Sequence, residues 1–191
     1  MKKFTVLPVV FVIALILAAC AKPPVEEMDN AYDAVTRAEN DADAVIYAGN
    51  TLIRARDALT RMQDEADTKR YDAAKNYAAE AIAAADKAIA DGKAGAARAK
   101  AEAENLVDSL SAPLAETSNA LSAARQENLA LDFDVLSGDM DSVRRTYGDA
   151  RESLAANDYR DATAKCQNVR SALAGINAQI TDAAQAASRK K

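Results

Sequence analysis

Apolar residues recur along this chain at intervals of three and four, with little interruption, and that rhythm admits few folds. Tyr159, Ala162, Cys166, Val169, Leu173, Ile176 and Ile180 form one such series. Leu129, Phe133, Leu136, Met140, Val143, Tyr147, Ala150 and Leu154 form another. Spacing of this kind draws a stripe down one side of a helix. The earlier half keeps it with smaller side chains: Met28, Ala31, Val35, Ala38, Ala42 and Val45, then Leu52, Ala55, Leu59, Met62 and Ala66. Ala78, Ile82, Ala85, Ile89, Ala96, Ala99, Ala103, Leu106 and Leu110 make a further stripe. Composition alone gives conflicting signals. From Cys20 onward Leu, Ile, Val and Phe supply only 25 of 172 residues, a level at which disorder becomes plausible. Over the same span Ala, Glu, Lys, Leu and Arg supply 87, the signature of long helices. The periodicity decides for helices, because a disordered chain has no reason to keep it.

Three polar interruptions divide the pattern. They are Asp67-Thr68-Lys69-Arg70, the run from Ser109 to Pro113, and Ala156-Asn157-Asp158. Proline in a first helical turn behind a serine reads as a helix start. Asp158 reads as an N-cap. The expected fold is all-α: an elongated, antiparallel up-down bundle of about four long helices, over 25–67, 70–110, 112–156 and 158–188. Alanine-rich, coiled-coil-like packing would bring its axes close together. The expectation is one bundle domain over 28–188 built from two helical hairpins, 28–110 and 112–188. Gly49 and Gly92, and likewise Gly138 and Gly175, would then lie at matching levels and mark a waist or kinks. Alternatively, Gly49-Asn50-Thr51 ends a first helix and caps a second.

The N-terminus reads as an address. Met1-Lys2-Lys3 precedes an apolar run to Ala19 that is too short for a bilayer span and ends in small residues, as secretory signals do. Leu17-Ala18-Ala19-Cys20 resembles the lipobox of bacterial lipoproteins. That resemblance implies cleavage of residues 1–19 and acylation of Cys20, with residues 20–27 as a lipidated tether. Diacylglycerol on the sulfur and an amide-linked palmitate-type chain exceed what stable anchoring requires. Ala21, rather than Asp, behind the cysteine favours the outer membrane by resemblance to proteobacterial sorting. With Cys20 lipidated, Cys166 is left alone and no intramolecular disulfide can form.

A repeat links the two halves. Ala55-Arg56-Asp57-Ala58-Leu59 leads to Tyr71-Asp72-Ala73-Ala74, and Ala150-Arg151-Glu152-Ser153-Leu154 leads to Tyr159-Arg160-Asp161-Ala162. The pattern resembles an uncharacterised domain of bacterial envelope lipoproteins, a family of unknown function sometimes followed by an OmpA-like peptidoglycan-binding domain. It covers about 28–105 well and 145–180 more weakly. No OmpA-like domain is expected to follow here, and the resemblance brings no functional residues with it.

Chemistry is sparsely provided for. The chain has no His and no Trp, which removes the commonest general base and metal ligand. Asp132, Asp134, Asp139 and Asp141 invite a calcium-loop reading, but a loop opening at Asp132 would need Gly and Glu where Ser137 and Val143 stand. The group Asp29, Asp33, Glu39, Asp41 and Asp43 reads as a solvated face. A glycosidase pair needs a cleft fixing two carboxylates about 5 to 9.5 Å apart, which a slim bundle does not provide. Cys166 falls in a core stripe, whereas a reactive thiol sits in an electropositive, partly exposed place. Asp91-Gly92-Lys93-Ala94-Gly95 lacks phosphate-loop spacing. Net acidity, −5 overall, argues against nucleic acid as a partner. The end Ser188-Arg189-Lys190-Lys191 resembles that of the major murein lipoprotein, whose terminal lysine is joined to peptidoglycan. Four antiparallel helices would instead return these basic residues to anionic headgroups.

The expectation is therefore a non-enzymatic, lipid-anchored structural or interaction module of the bacterial envelope, without catalytic, cofactor or metal-binding residues. It would contact the membrane through Cys20 and a protein partner through a helix face. A surface-exposed adhesin or ligand-binding lipoprotein is the alternative. Tyr32, Tyr47, Tyr77 and Tyr147 are the rings that would mark a contact patch.

Overall fold

The computed structural model describes residues 22–189. Helix accounts for 89% of them, with no strand among them, in six helices. These are α1 (Val25–Asn40), α2 (Ala42–Tyr47), α3 (Gly49–Asp67), α4 (Tyr71–Gln126), α5 (Phe133–Ala155) and α6 (Tyr159–Ser188). The chain divides after Gly95, within α4, into two compact units.

In the first unit the segment expected to run as one helix from 25 to 67 folds back on itself. Asp41 adopts an extended conformation (φ −83°, ψ 112°), and its carboxylate accepts the amide of Ala44 at 2.8 Å, so it stops α1 and caps α2. A second break falls at Ala48 (φ −125°, ψ 26°), and Gly49 opens α3. The chain has thereby reversed. Glu39 meets Arg56 at 2.6 Å, and Gln63 donates to the Tyr32 hydroxyl, so α1 and α3 are antiparallel. The first part of α4 then runs antiparallel to α3, with Thr51 donating to Asp91 at 3.1 Å. It runs parallel to α1, with Lys75 and Glu27 at 3.1 Å. Three helices, up-down-up, replace the expected hairpin. The break also shifts the stripe: Ala44 and Ala48 are buried, while Ala42 and Val45 face outward.

The core of this unit is nearly all alanine. Ala78, Ala81, Ala85 and Ala88 are buried on α4, against Ala31, Ala34, Val35 and Ala38 of α1 and Leu52, Ala55, Ala58 and Met62 of α3. Gly92 and Gly95 continue the α4 line. A Cβ on Gly92 would lie 2.5 Å from the backbone nitrogen of Ala44, so glycine is what lets α2 approach there. Gly49, Gly138 and Gly175 have nothing within 4 Å of a Cβ position, and the expected paired waist does not form.

The second unit corrects two further boundaries. Ser109 to Pro113 does not start a helix; Pro113 lies inside α4. The burial pattern explains this, since Val107, Leu110, Leu114, Thr117, Leu121 and Ala124 keep the three-four rhythm through the proline. The packing of that face outweighs the single amide that proline lacks. The expected helix over 112–156 is instead interrupted at 127–132. Asn128 takes a left-handed conformation (φ 52°), and Asp132 caps α5 by accepting the amides of Asp134 and Val135 at 3.2 and 3.1 Å.

The helices of this unit are also arranged up-down-up. The Tyr147 hydroxyl donates to the carbonyl of Val107 at 3.1 Å, and Asn177 donates to the buried Thr117 hydroxyl at 2.8 Å. Hence α5 is antiparallel and α6 parallel to the second part of α4. Val107, Leu110, Leu121, Leu136, Met140, Val143, Cys166, Val169, Leu173 and Ile176 fill the core.

The repeat seen in sequence has a structural cause. Lys69, Asn128 and Asn157 all have positive φ and each follows the end of a helix. At Lys69 the amide of Arg70 bonds to the carbonyl of Glu65 and that of Lys69 to Ala66, both at 2.9 Å. At Asn157 the amides of Asp158 and Asn157 bond to Ser153 and Leu154 in the same way. This crossed pair is the Schellman ending, which satisfies carbonyls a helix terminus otherwise leaves unpaired. Tyr71 and Tyr159 then open the next helix, and Ala74 and Ala162 three residues on are fully buried.

Candidate functional site

The residues on which function was expected to rest do not converge. Cys20, the lipidation residue, and Lys190 and Lys191 of the basic end lie outside the described residues. Among the acidic groups, Asp41 and Asp132 are helix caps. Glu39 pairs with Arg56, and Asp141 pairs with Arg144 at 3.0 Å. Asp29, Asp33, Asp134 and Asp139 are exposed. Among the described residues no three His, Cys, Asp or Glu come together in a way that would hold a metal ion.

The four tyrosines do not form one patch. Tyr147 is half-buried and bonded to Val107; Tyr77 is half-buried beneath the Arg61 guanidinium, 5.8 Å from its ring centre. Tyr47 is half-buried, its Cβ seated where a side chain on Gly95 would be. Tyr32 is the more open ring, beside a shallow groove of about 270 Å³ that Pro23, Val25, Met28 and Tyr71 also line.

Cys166 sits in the core of the second unit, and burial pushes its thiol pKa up, opposite to the shift a nucleophilic thiolate needs. A nearby polar cluster is structural. The Asp161 carboxylate lies 2.5 Å from the Lys165 ammonium and accepts from Ser153 at 2.6 Å, and Lys165 also donates to Ser153 at 2.9 Å. The Lys165 bond first, then that of Ser153, holds the Asp161 pKa below its usual range. This cluster fastens α6 to the end of α5.

One groove was not anticipated. Between α4 and α5 of the second unit lies a trench of about 540 Å³, floored by Leu121 and Met140 and edged by Ser118, Ser122, Arg125, Ser137, Asp141 and Arg144. Arg144 donates to Ser118 at 2.9 Å, and Arg125 donates to Ser137 at 3.2 Å. The two arginines thus cross the trench in opposite directions. In sequence the signal is Ser118-x3-Ser122-x2-Arg125 and Ser137-x3-Asp141-x2-Arg144, the same spacing on two antiparallel helices.

Residues 26–106 match the model of a family described as a domain of unknown function, DUF4398. The match takes in α1, α2, α3 and α4 as far as residue 106. It supports the resemblance to an uncharacterised family drawn from the repeat. The matched span does not extend to the weaker copy at 145–180. No curated protein and no solved structure gives a significant match to the chain.

Proposed function

We propose that the chain is a non-enzymatic lipoprotein of the bacterial envelope, anchored through acyl chains on Cys20, that holds two small helical bundles near a membrane for contact with a partner. The outer membrane is the expected site. The observation that carries this reading is Leu17-Ala18-Ala19-Cys20 behind a basic start and a short apolar run. Among the described residues the first helix begins at Val25, which would put it about five residues from the acylated Cys20. Among the described residues no helix is long and apolar enough to cross a membrane. The non-enzymatic reading rests on the missing histidine and on shallow, open grooves where a catalytic cleft would be needed.

Metabolic labelling with an alkyne-tagged palmitate tests the anchor. Label is expected on the wild-type protein and on no Cys20→Ser variant; label retained on that variant would overturn it. Protease treatment of intact against lysed cells then separates the two roles. Digestion on intact cells would make the chain a surface-exposed adhesin or ligand-binding lipoprotein. Protection until lysis would place its partner inside the envelope.

A further inference from the structure

We infer that the trench between α4 and α5 is a carboxylate-binding site centred on Arg125, one that does not depend on the lipid anchor. Its two ends are built alike. Arg144 and Ser118 form one, and Arg125 and Ser137 the other, about two helical turns or roughly 10 Å apart along α4. At the Arg144 end the guanidinium already holds a carboxylate, that of Asp141, three residues earlier on the same helix and 3.0 Å away. At the other end the residue in that place, three before Arg125, is Ser122. A neutral hydroxyl stands where its counterpart supplies the charge.

Arg125 therefore lacks the partner that its counterpart has. Its guanidinium lies over the Phe133 ring, 5.1 Å from the centre, and donates to the Phe133 carbonyl at 3.4 Å and the Ser137 hydroxyl at 3.2 Å. Among the described residues no carboxylate pairs with it. Those contacts fix its direction and leave guanidinium N–H groups for an incoming acceptor, a fork suited to a carboxylate. Ser137 accepts from Arg125, so its own proton is available to a second oxygen. Leu121 and Met140 between the two ends give the stem of such a ligand an apolar floor. The ligand class is thus a carboxylate on a short apolar stem.

The test is an NMR titration of the full chain at low ionic strength with hexanoate, and with acetate for comparison. Saturable shifts are expected at Ser122, Arg125 and Ser137, with hexanoate binding several-fold more tightly than acetate. Ser122→Asp would install the missing internal carboxylate and weaken hexanoate binding at least tenfold, as would Arg125→Gln. Asp141→Ser would free Arg144 and add a second set of shifts, at Ser118 and Arg144. All three positions are exposed, and circular dichroism verifies that each variant keeps its fold. Shifts that do not saturate, shifts spread over other arginines, or a Ser122→Asp variant that binds like the wild type would each overturn the proposal.

Discussion

Two glycines, one in each unit, show how much one Cβ decides. Gly92 meets backbone, with the nitrogen of Ala44 at 2.5 Å, whereas Gly138 has nothing within 4 Å. Both lie within helices, where glycine costs about 0.5–1 kcal/mol relative to alanine. Gly138→Ala is expected to raise unfolding free energy by about that amount. Gly92→Ala is expected to lower it by about 1–3 kcal/mol, since α2 must move off to admit the methyl. Urea titrations of the two variants check the opposite signs. Asp161 gives a second prediction. Its folded pKa is depressed, first by Lys165 and then by Ser153, so the stability it contributes is present above the ordinary carboxylate range. That contribution is lost as pH falls through the folded-state value. Asp161→Asn should therefore lower stability near neutrality and flatten the acid limb of the stability profile, measured by denaturation at a series of pH values. An unchanged acid limb would show that the cluster is not coupled to folding.

Among the elements, the long helix α4 tests the weight of packing against propensity. Proline inside a helix costs about 3 kcal/mol, by removing one amide and crowding the preceding turn. Here the buried line through Leu110, Thr117 and Leu121 carries the helix across it. Pro113→Ala is expected to stabilise the second unit by about 1–3 kcal/mol, read as a higher thermal midpoint; a lower midpoint would mean the proline is needed for a distortion of the helix. In sequence this proline reads as punctuation where the stripe is ended at Leu110, although Leu114, Thr117, Leu121 and Ala124 continue it. The converse holds at residues 127–132, where Leu129 keeps the rhythm across a turn that Asn128 and Asp132 signal. Asp41 was missed for a different reason. Alanine lies on both sides of α2, with Ala42 exposed and Ala44 buried, so the two-residue slip between them changes hardly anything in the hydrophobic pattern. The turns at Lys69 and Asn157 were legible because polar residues interrupt a strong stripe there. The trench was hidden by the missed turn: a helix drawn over 112–156 puts Arg125 and Arg144 on one element, whereas the break brings them across from each other.

For the molecule as a whole, the third helices of the two units share one register with very different contents. Ala74, Ala78, Ala81, Ala85 and Ala88 in the first correspond, 88 residues on, to Ala162, Cys166, Val169, Leu173 and Ile176 in the second. Each larger side chain buries more apolar area, at about 25 cal/mol per Å², so the second unit gains more from burial at these positions. The family match, 26–106, covers the alanine-packed unit from residue 26 and continues past Gly95 along α4. Two cores without shared buried residues should respond separately to damage. Leu173→Ala removes a side chain that is 3% exposed, and Met62→Ala one that is fully buried in the other unit. Each is expected to cost about 2–5 kcal/mol in its own unit. Hydrogen exchange resolves the two. Leu173→Ala should speed exchange in α5 and α6 while leaving α1 and α3 protected, and Met62→Ala should do the reverse. Equal loss of protection throughout would mean that α4, which contributes to both units, makes them unfold as one.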